Sequence, residues 1–174
     1  MPKINTPAPD LEAIAASLLK DLMSYAEVTA LNFFKDRFYE QGWMGNGFEP
    51  WPSRKTGSDG RALLTNTGNL RDSIRVLERK PLALTFGTSE PYAAIHNTGG
   101  IIKVRVTERS RKFFWYMYKS TGQAHWKWMA LTKKTELQIK IPKRQFIGES
   151  PYLTTQIENW LAAEIFKRWK AQSR

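Results

Sequence analysis

The sequence contains no cysteine and only two histidines among its 174 residues. Without cysteine the chain can form neither disulfides nor thiolate metal sites. The two histidines, His96 and His125, lack the spacing with other ligands that zinc sites require. No apolar run approaches the roughly 20 residues that span a bilayer, and the polar start lacks the apolar segment of a secretion signal. We therefore expect no cofactor, no metal, no membrane contact, and a protein that works in the cytoplasm or in something assembled there.

Sequence motifs for catalysis are missing as well. The chain contains no G-x-S-x-G elbow, no Walker phosphate loop and no G-x-G-x-x-G fingerprint. His96 lies in YAAIHNTGG, where Gly99 and Gly100 suit a tight turn that enters a strand. We expect a structural His96 whose ring bonds a backbone group, with a catalytic His96 as the less favoured alternative. The expectation is that the chain is not an enzyme.

Positive charge is present and is concentrated in one quarter of the chain. The net charge is +11, and from Lys103 to Arg144 twelve Lys and Arg stand against two Glu. The remainder carries 15 basic and 14 acidic residues, so it is nearly neutral. A local basic field attracts nucleic acid or an acidic protein surface. The alternative explanation of this charge is that the segment is a solvent-exposed insertion whose lysines only keep it soluble.

Aromatic residues are interleaved with these cations. That combination can stack bases and neutralise phosphates, but aromatics and Arg are also enriched at protein interfaces. Because no RNP, helix-turn-helix or zinc-finger motif accompanies them, we favour an interface with another subunit over specific nucleic-acid binding. We expect a β-hairpin or loop here. The candidate partner-facing or DNA-facing residues are Lys103, Arg105, Arg109, Arg111, Lys112, Trp115, Lys119, Trp126, Lys127, Trp128, Lys133 and Lys134.

Two helices are predicted at the ends of the chain. Apolar residues at steps of three and four follow Asp10, a potential N-cap, and continue until Gly42, either as one helix or as two joined near Ser24. Ser150 and Pro151 predict the cap and first residue of a C-terminal helix.

Strand patterns lie between the two helices. Residues 74–78 and 82–85 predict a hairpin, and 101–106 and 137–141 alternate well enough to pair antiparallel. The glycine-rich stretch 42–69 predicts a long connection pinned by Trp43, Phe48 and Trp51, with Asn66 or Thr67 capping a short helix after it. Residues 89–96 suit a single helical turn.

The expected fold class is α+β, a small antiparallel or mixed sheet packed by a long N-terminal helix and a C-terminal helix. Residues 1–9 are expected to be a flexible N-terminal arm. Residues 10–174 are expected to form a single domain with a variable basic aromatic hairpin or loop insertion at about 107–135.

Three segments in fixed order resemble the phage virion morphogenesis family, which includes the Mu G-like and tail-completion S-like proteins of tailed phages. They are LLTNTGNLRDSI, YAAIHNTG and IPKRQFIG, and the resemblance covers roughly residues 42–169. One departure is Gln145, which stands where the family pattern has proline. The matching positions are Leu64, Thr67, Gly68, Leu70, Ser73, Ile74, Tyr92, Ala93, Ile95, His96, Gly99, Gly100, Pro142, Arg144, Phe146 and Gly148.

The resemblance implies a structural protein at the head–tail joint of a virion, made in the bacterial host cytoplasm and acting without catalysis. It implies a homo-oligomeric ring of about six subunits around the DNA passage. The implied partners are other neck, portal-adaptor, tail-tube or terminator proteins, with non-specific contact to packaged DNA. A free basic protein that binds single-stranded nucleic acid is the alternative function.

Overall fold

The computed structural model describes residues 11–54 and 60–172. The expected N-terminal arm, the Asp10 cap and part of the glycine-rich connection lie outside these ranges. In chain order the elements are α1 (Leu11–Glu40), β1 (Gly42–Met44), β2 (Phe48–Pro50), α2 (Asn69–Asp72), β3 (Arg75–Lys80), β4 (Ala83–Gly87), α3 (Ala93–Thr98), β5 (Gly100–Arg105), α4 (Glu108–Thr121), α5 (Ala124–Leu131), β6 (Glu136–Ile141) and α6 (Pro151–Gln172). The α+β class is confirmed.

The two long helices, α1 and α6, pack against each other. Tyr25 stacks on Trp160 with ring centroids 4.3 Å apart, and Arg168 bonds both Asp21 and Ser17 of α1. The start of α6 is as predicted, because the Ser150 hydroxyl accepts the backbone N–H of Leu153 at 3.2 Å. The predicted N-terminal helix is a single helix, and its C-terminal half carries its buried residues.

The end of α1 differs in detail from the prediction. The residue in the left-handed conformation is Gln41, with φ 59°, and not Gly42. The Gln41 side chain compensates by bonding the backbone of Leu63, accepting from its N–H and donating to its carbonyl. Gly42 is needed for strand packing, because a Cβ there would lie 2.4 Å from the Phe48 ring.

The strands form three separate two-stranded antiparallel ladders rather than one sheet. Both predicted pairings are confirmed, as β3 with β4 and β5 with β6. The glycine-rich connection contributes the third pair, β1 with β2, and buries Trp43 and Trp51 as expected. Phe48, however, stays 45% exposed, so its predicted role as a core anchor is wrong.

The short helices begin later than the sequence indicated. The N-cap of α2 is Gly68, in the left-handed conformation, rather than Asn66 or Thr67. The helix α3 begins at Ala93, several residues after the predicted start at Ser89.

The basic aromatic insertion is a helical hairpin, so the expectation of a β-hairpin or loop is wrong. Thr107 and Ser110 form a capping box before α4, each side chain accepting the other's backbone N–H. Gly122 ends α4 in the left-handed conformation, with φ 68°. Arg, Lys and Met between these caps are good helix formers, and they outweigh the β preference of the aromatic residues.

The chain thus divides into two regions. We call residues 100–141 (β5, α4, α5 and β6) the basic extension, and the other described residues the body. The core lies in the body, where α1, the β1–β2 pair and the segment before α6 bring aromatic rings together around Phe38 and Phe146. No helix in the described ranges is long and apolar enough to cross a membrane.

Candidate functional site

Two of the three motif segments pack directly against each other. Residues 92–99 and 141–148 meet beside the chain at residues 51–53, and we call this place the motif cluster. Phe146 is its apolar centre; it is 1% exposed and its ring lies 5.2 Å from that of Phe38. The motif cluster therefore belongs to the core of the body.

Asn97 makes the densest set of hydrogen bonds in the motif cluster. Its side-chain oxygen accepts the backbone N–H groups of Phe146 at 2.9 Å and Ile147 at 3.0 Å. Its amide nitrogen donates to the Ile147 carbonyl at 2.9 Å. One side chain thus satisfies three backbone groups of a segment that forms no regular secondary structure. The sequence reasoning did not single out Asn97, because an Asn between a histidine and a glycine pair is typical of any turn.

Arg144 is a buried cation with backbone partners. Its guanidinium donates to the Pro52 carbonyl at 2.7 and 3.0 Å, and the Trp51 indole donates to the Gln145 carbonyl at 2.8 Å. Burial, together with the charge of Arg54, lowers the pKa of Arg144 from its ordinary value. Arg144 therefore links the motif segment 141–148 to the glycine-rich connection at Pro52.

His96 contributes to the motif cluster through its backbone rather than its ring. Its carbonyl accepts the N–H of Arg144 at 2.8 Å. The ring Nδ1 is buried and has no hydrogen-bond partner in the described part of the chain, which differs from the expected ring-to-backbone bond. Burial, and secondarily the nearby Arg144 charge, lower the pKa of His96, so the neutral ring is favoured.

The structure shows why position 99, at the end of YAAIHNTG, requires glycine. It has φ 71°, a conformation that favours glycine, and a Cβ there would lie 2.7 Å from the backbone nitrogen of Lys143. The two motif segments therefore approach backbone to backbone at this point.

The remaining motif segment, Leu64 to Ile74, reaches the same core from the other side. Leu70 and Ile74 are buried, and Leu64 packs against the core cluster. The Ser73 hydroxyl bonds the Leu70 carbonyl at 2.9 Å and the hydroxyl of Thr88, which joins α2 to the end of the β3–β4 pair. All three segments are thus placed where they hold the body together.

The basic extension begins with an amphipathic ladder. Cross-strand partners Ile102 and Ile139, and likewise Val104 and Leu137, share one face, which we call the apolar ladder face. The opposite face carries Ile101 among polar and charged residues, including Lys103 and Arg105. Ile102 and Ile139 are each 39% exposed, and no residue of the ladder belongs to the core cluster.

The two helices of the basic extension pack mainly on each other. Phe114 and Trp126 stack with centroids 6.0 Å apart, and Phe114 and Ala130 are buried. Arg111 donates to the carbonyls of Ala130 and Thr132 at 2.8 and 2.6 Å. Trp126 and Arg111, two of the candidate partner-facing residues, therefore act inside the extension.

The other candidate partner-facing residues lie on the surface of the extension. Trp128 is 71% exposed, and Phe113, Tyr116 and Leu131 add further exposed apolar area. Apart from Trp126 and Arg111, the candidates are exposed in the structure: Lys103, Arg105, Arg109, Lys112, Trp115, Lys119, Lys127, Trp128, Lys133 and Lys134.

An open apolar groove lies on the body, between α1, β4 and α6. Its volume is about 600 Å³, and Leu22 and Met23 of α1, Leu84 of β4 and Ile157 of α6 contribute to its walls. Glu149 is the only ionisable side chain that lines it within the described residues. We call this feature the body groove.

The described residues form a core tied by long-range hydrogen bonds, with exposed apolar and cationic surfaces. Within them, no three His, Asp or Glu side chains lie close enough together to hold a metal ion.

Comparison with known proteins identifies the family. The phage virion morphogenesis family matches residues 20–165, and the chain belongs to this family. The resemblance noted in the sequence is confirmed, and the match also includes α1 from residue 20 onward. The chain is accordingly a virion-associated protein with a role in phage virion assembly, in a family that is not known as enzymatic. No match was found among curated proteins or among solved structures.

Proposed function

We propose that this chain is a structural protein of the head–tail joint of a tailed phage, where it completes the tail or neck. In this proposal it assembles as a ring of about six subunits around the DNA passage. Its partners are other copies of itself and neighbouring neck, portal-adaptor, tail-tube or terminator proteins.

The observation that carries the proposal is the contrast between a tied body and a basic extension that leaves its apolar and cationic residues exposed. Monomeric proteins rarely expose large contiguous apolar patches, and such patches mark interaction sites. The body has its own core and does not need the extension for burial. An extension of this kind suits contact between subunits.

The charge distribution supports a place beside DNA. The extension carries exposed Lys and Arg on both its ladder and its helices, such as Lys103 on β5 and Lys112 on α4. Cations that line a passage neutralise phosphates without reading base sequence. Packaged DNA would then be contacted non-specifically.

A free single-stranded nucleic-acid-binding protein is the second candidate function. Exposed Trp128 next to Lys127 favours it, because aromatic rings stack on bases while cations hold the backbone. This candidate predicts tight, salt-sensitive binding that is lost when the Lys and Arg of the extension are neutralised.

Light scattering at physiological salt separates the two functions. The protein is measured with and without a single-stranded oligonucleotide. A multimer near six subunits, or a monomer indifferent to the oligonucleotide, agrees with the structural role. A monomer that binds the oligonucleotide tightly would overturn that role in favour of the nucleic-acid module.

A further inference from the structure

The basic extension lacks the burial that a segment of its size needs. Its only buried side chains among those described are Phe114 and Ala130, both within the helical hairpin. An isolated two-stranded ladder is marginal in water, and the β5–β6 ladder packs mainly strand against strand. On the apolar ladder face, Val104 and Leu137 are half-buried, whereas Ile102 and Ile139 are exposed and lack a cover.

The apolar ladder face is continuous with the body only at its base. The position of a Cβ on Gly100 would lie 2.7 Å from Cδ1 of Ile95, so Ile95 occupies the space at the first step of the ladder. Beyond that step, Ile102 and Ile139 are exposed. A chain that places two isoleucines opposite each other on a solvent-facing ladder has an apolar surface to bury.

The body groove is the complementary surface on the same chain. Its walls are largely apolar and its volume of about 600 Å³ is open to solvent. The main packing partners of α1 are α6 and the body strands, and those of the extension lie within the extension. Ile102 and Ile139 of the apolar ladder face, and the walls of the body groove, are therefore left open within one subunit.

Charge favours the pairing of these two surfaces. The extension is strongly basic, and the ionisable side chain that lines the groove is the carboxylate of Glu149. The ladder cations Lys103 and Arg105 lie on the opposite face and stay outside the groove, so the attraction to Glu149 acts at long range on the basic extension as a whole.

The dimensions are also sufficient. Six paired residues make a ladder about 20 Å long, and the 14 residues of α4 add a helix of about 21 Å. A body of on the order of 100 residues has a radius of gyration of only about 13 Å. A ladder of this length is long enough to lie along a groove on an adjacent subunit of that size.

We infer that the apolar ladder face of one subunit docks into the body groove of the next copy of this chain. The contact joins two different surfaces, so it is heterologous, and a heterologous contact closes into a ring when the rotation between subunits allows. This inference rests on the proposed function, since it supplies the contact by which the ring forms.

The test uses the full chain with substitutions on each surface. The first variant is Ile102→Thr with Ile139→Thr, which removes apolar contact but keeps residues that favour strands. Ile101→Thr is the matched control, since it changes the same residue type on the opposite face of β5. Thr85→Lys, at an exposed groove position, places a charge in the apolar groove, where docking of the apolar ladder face would have to bury it.

Light scattering across a dilution series measures the concentration at which half of the subunits are assembled. We expect the double variant and Thr85→Lys each to raise it at least tenfold, while Ile101→Thr leaves it within twofold of the unsubstituted chain. Circular dichroism checks that each variant is folded. If the double variant fails to fold, Thr85→Lys decides alone, because it leaves the extension intact.

The outcomes separate this inference from the proposed function. Multimers that persist in both surface variants would overturn the docking contact and leave the ring in place. Loss of assembly in the double variant but not in Thr85→Lys would overturn the groove as the docking site. A chain that is monomeric throughout would overturn docking to a second copy, and tight oligonucleotide binding by that monomer would overturn the proposed function as well.

Since the chain has no cysteine, cross-linking gives an independent check. Subunits carrying Ile139→Cys are mixed with subunits carrying Thr85→Cys and treated with a short thiol-reactive cross-linker. We expect a cross-linked pair joining the two positions, identified by mass spectrometry of the peptides. Equal yield with Ile101→Cys in place of Ile139→Cys would contradict docking by the apolar ladder face.

Discussion

The body and the basic extension are both rich in aromatic residues, but they use them differently. In the body, Phe38 and Phe146 are each 1% exposed and lie within a network of ring contacts. In the extension, Trp128 is 71% exposed and only Phe114 among the aromatic side chains is buried. The same residue type thus stabilises a fold in one region and leaves a surface open in the other.

The hydrogen bonds from side chains to backbone groups also differ between the body and the basic extension. In the body, Asn97 and Arg144 reach across the chain to bond backbone groups of irregular segments. In the extension, the ties are local, such as the bonds of Arg111 to the end of α5. The body is therefore held by long-range contacts and the extension by its own helices and ladder.

The largest expected difference comes from removing one buried ring in each region. Phe146→Ala should lower the free energy of unfolding of the body by about 3–5 kcal/mol, as expected for a buried Phe. Phe114→Ala should loosen the extension and leave the body folded. Urea unfolding combined with hydrogen exchange resolved by segment measures both. A Phe114→Ala variant whose body unfolds as easily as that of Phe146→Ala would contradict the division into two regions.

Asn97→Ala should have the next largest effect. The substitution leaves the N–H groups of Phe146 and Ile147 without their acceptor, and each unpaired buried group costs about 1–3 kcal/mol. Urea unfolding gives the change in free energy. Asn32→Ala, at an exposed position on α1, is the control and should stay within about 0.5 kcal/mol. If both substitutions lower the free energy of unfolding equally, the hydrogen bonds of Asn97 do not stabilise the motif cluster.

His96 should give the body a smaller, pH-dependent loss of stability in acid. Its pKa is lowered in the folded protein, so the unfolded chain binds the proton more readily below about pH 6.5. The stabilisation is fully present above that pH and is lost as the pH falls towards the folded-state pKa. Thermal unfolding between pH 5 and 7.5 should show a shallower dependence for His96→Gln than for the unsubstituted chain. His125→Gln, on the exposed α5, is the control, and an identical slope for all three proteins would contradict this role.

The smallest effect on stability should come from the exposed cations of the extension. Lys133→Gln with Lys134→Gln should change the free energy of unfolding by less than about 0.5 kcal/mol. If the extension lies beside DNA, the same change should weaken salt-dependent retention on a DNA column. Lys20→Gln with Lys80→Gln, which removes the same charge from the body, should weaken it less. Equal retention of the two double variants would show that the location of the charge has no influence.

The parts of the fold that follow from local sequence were predictable. Strand alternation identified the β3–β4 hairpin and the two strands of the β5–β6 pair, and Ser150 with Pro151 gave the start of α6, because these patterns are local to each element. The helices of the extension also have local signals, the Thr107 and Ser110 capping box and Gly122. The aromatic residues, which favour strands, pointed instead to a β-hairpin or loop.

The tertiary ties of the motif cluster were not predictable from periodicity. Nothing in the spacing of residues indicates that Asn97 will meet the backbone at Phe146, since that contact depends on the packing of the whole body. The role of Arg144 is similar, because its partners belong to the glycine-rich connection. The split of the strands into three ladders likewise depends on tertiary packing, which alternation alone does not specify.

The sequence distance spanned by the body contacts has a consequence for the order of folding. Ser150 bonds the Met44 carbonyl across 106 positions, and Arg168 bonds Ser17 across 151. The helical hairpin of the extension closes over only about 20 positions, as in the bond from Arg111 to Ala130. Local contacts form faster than distant ones, so we expect pulse-labelled amides of α4 and α5 to be protected before those of α1. Protection of α1 first would contradict this order. During synthesis, the α4–α5 helical hairpin would then form before the body, whose packing requires α6 at the end of the chain.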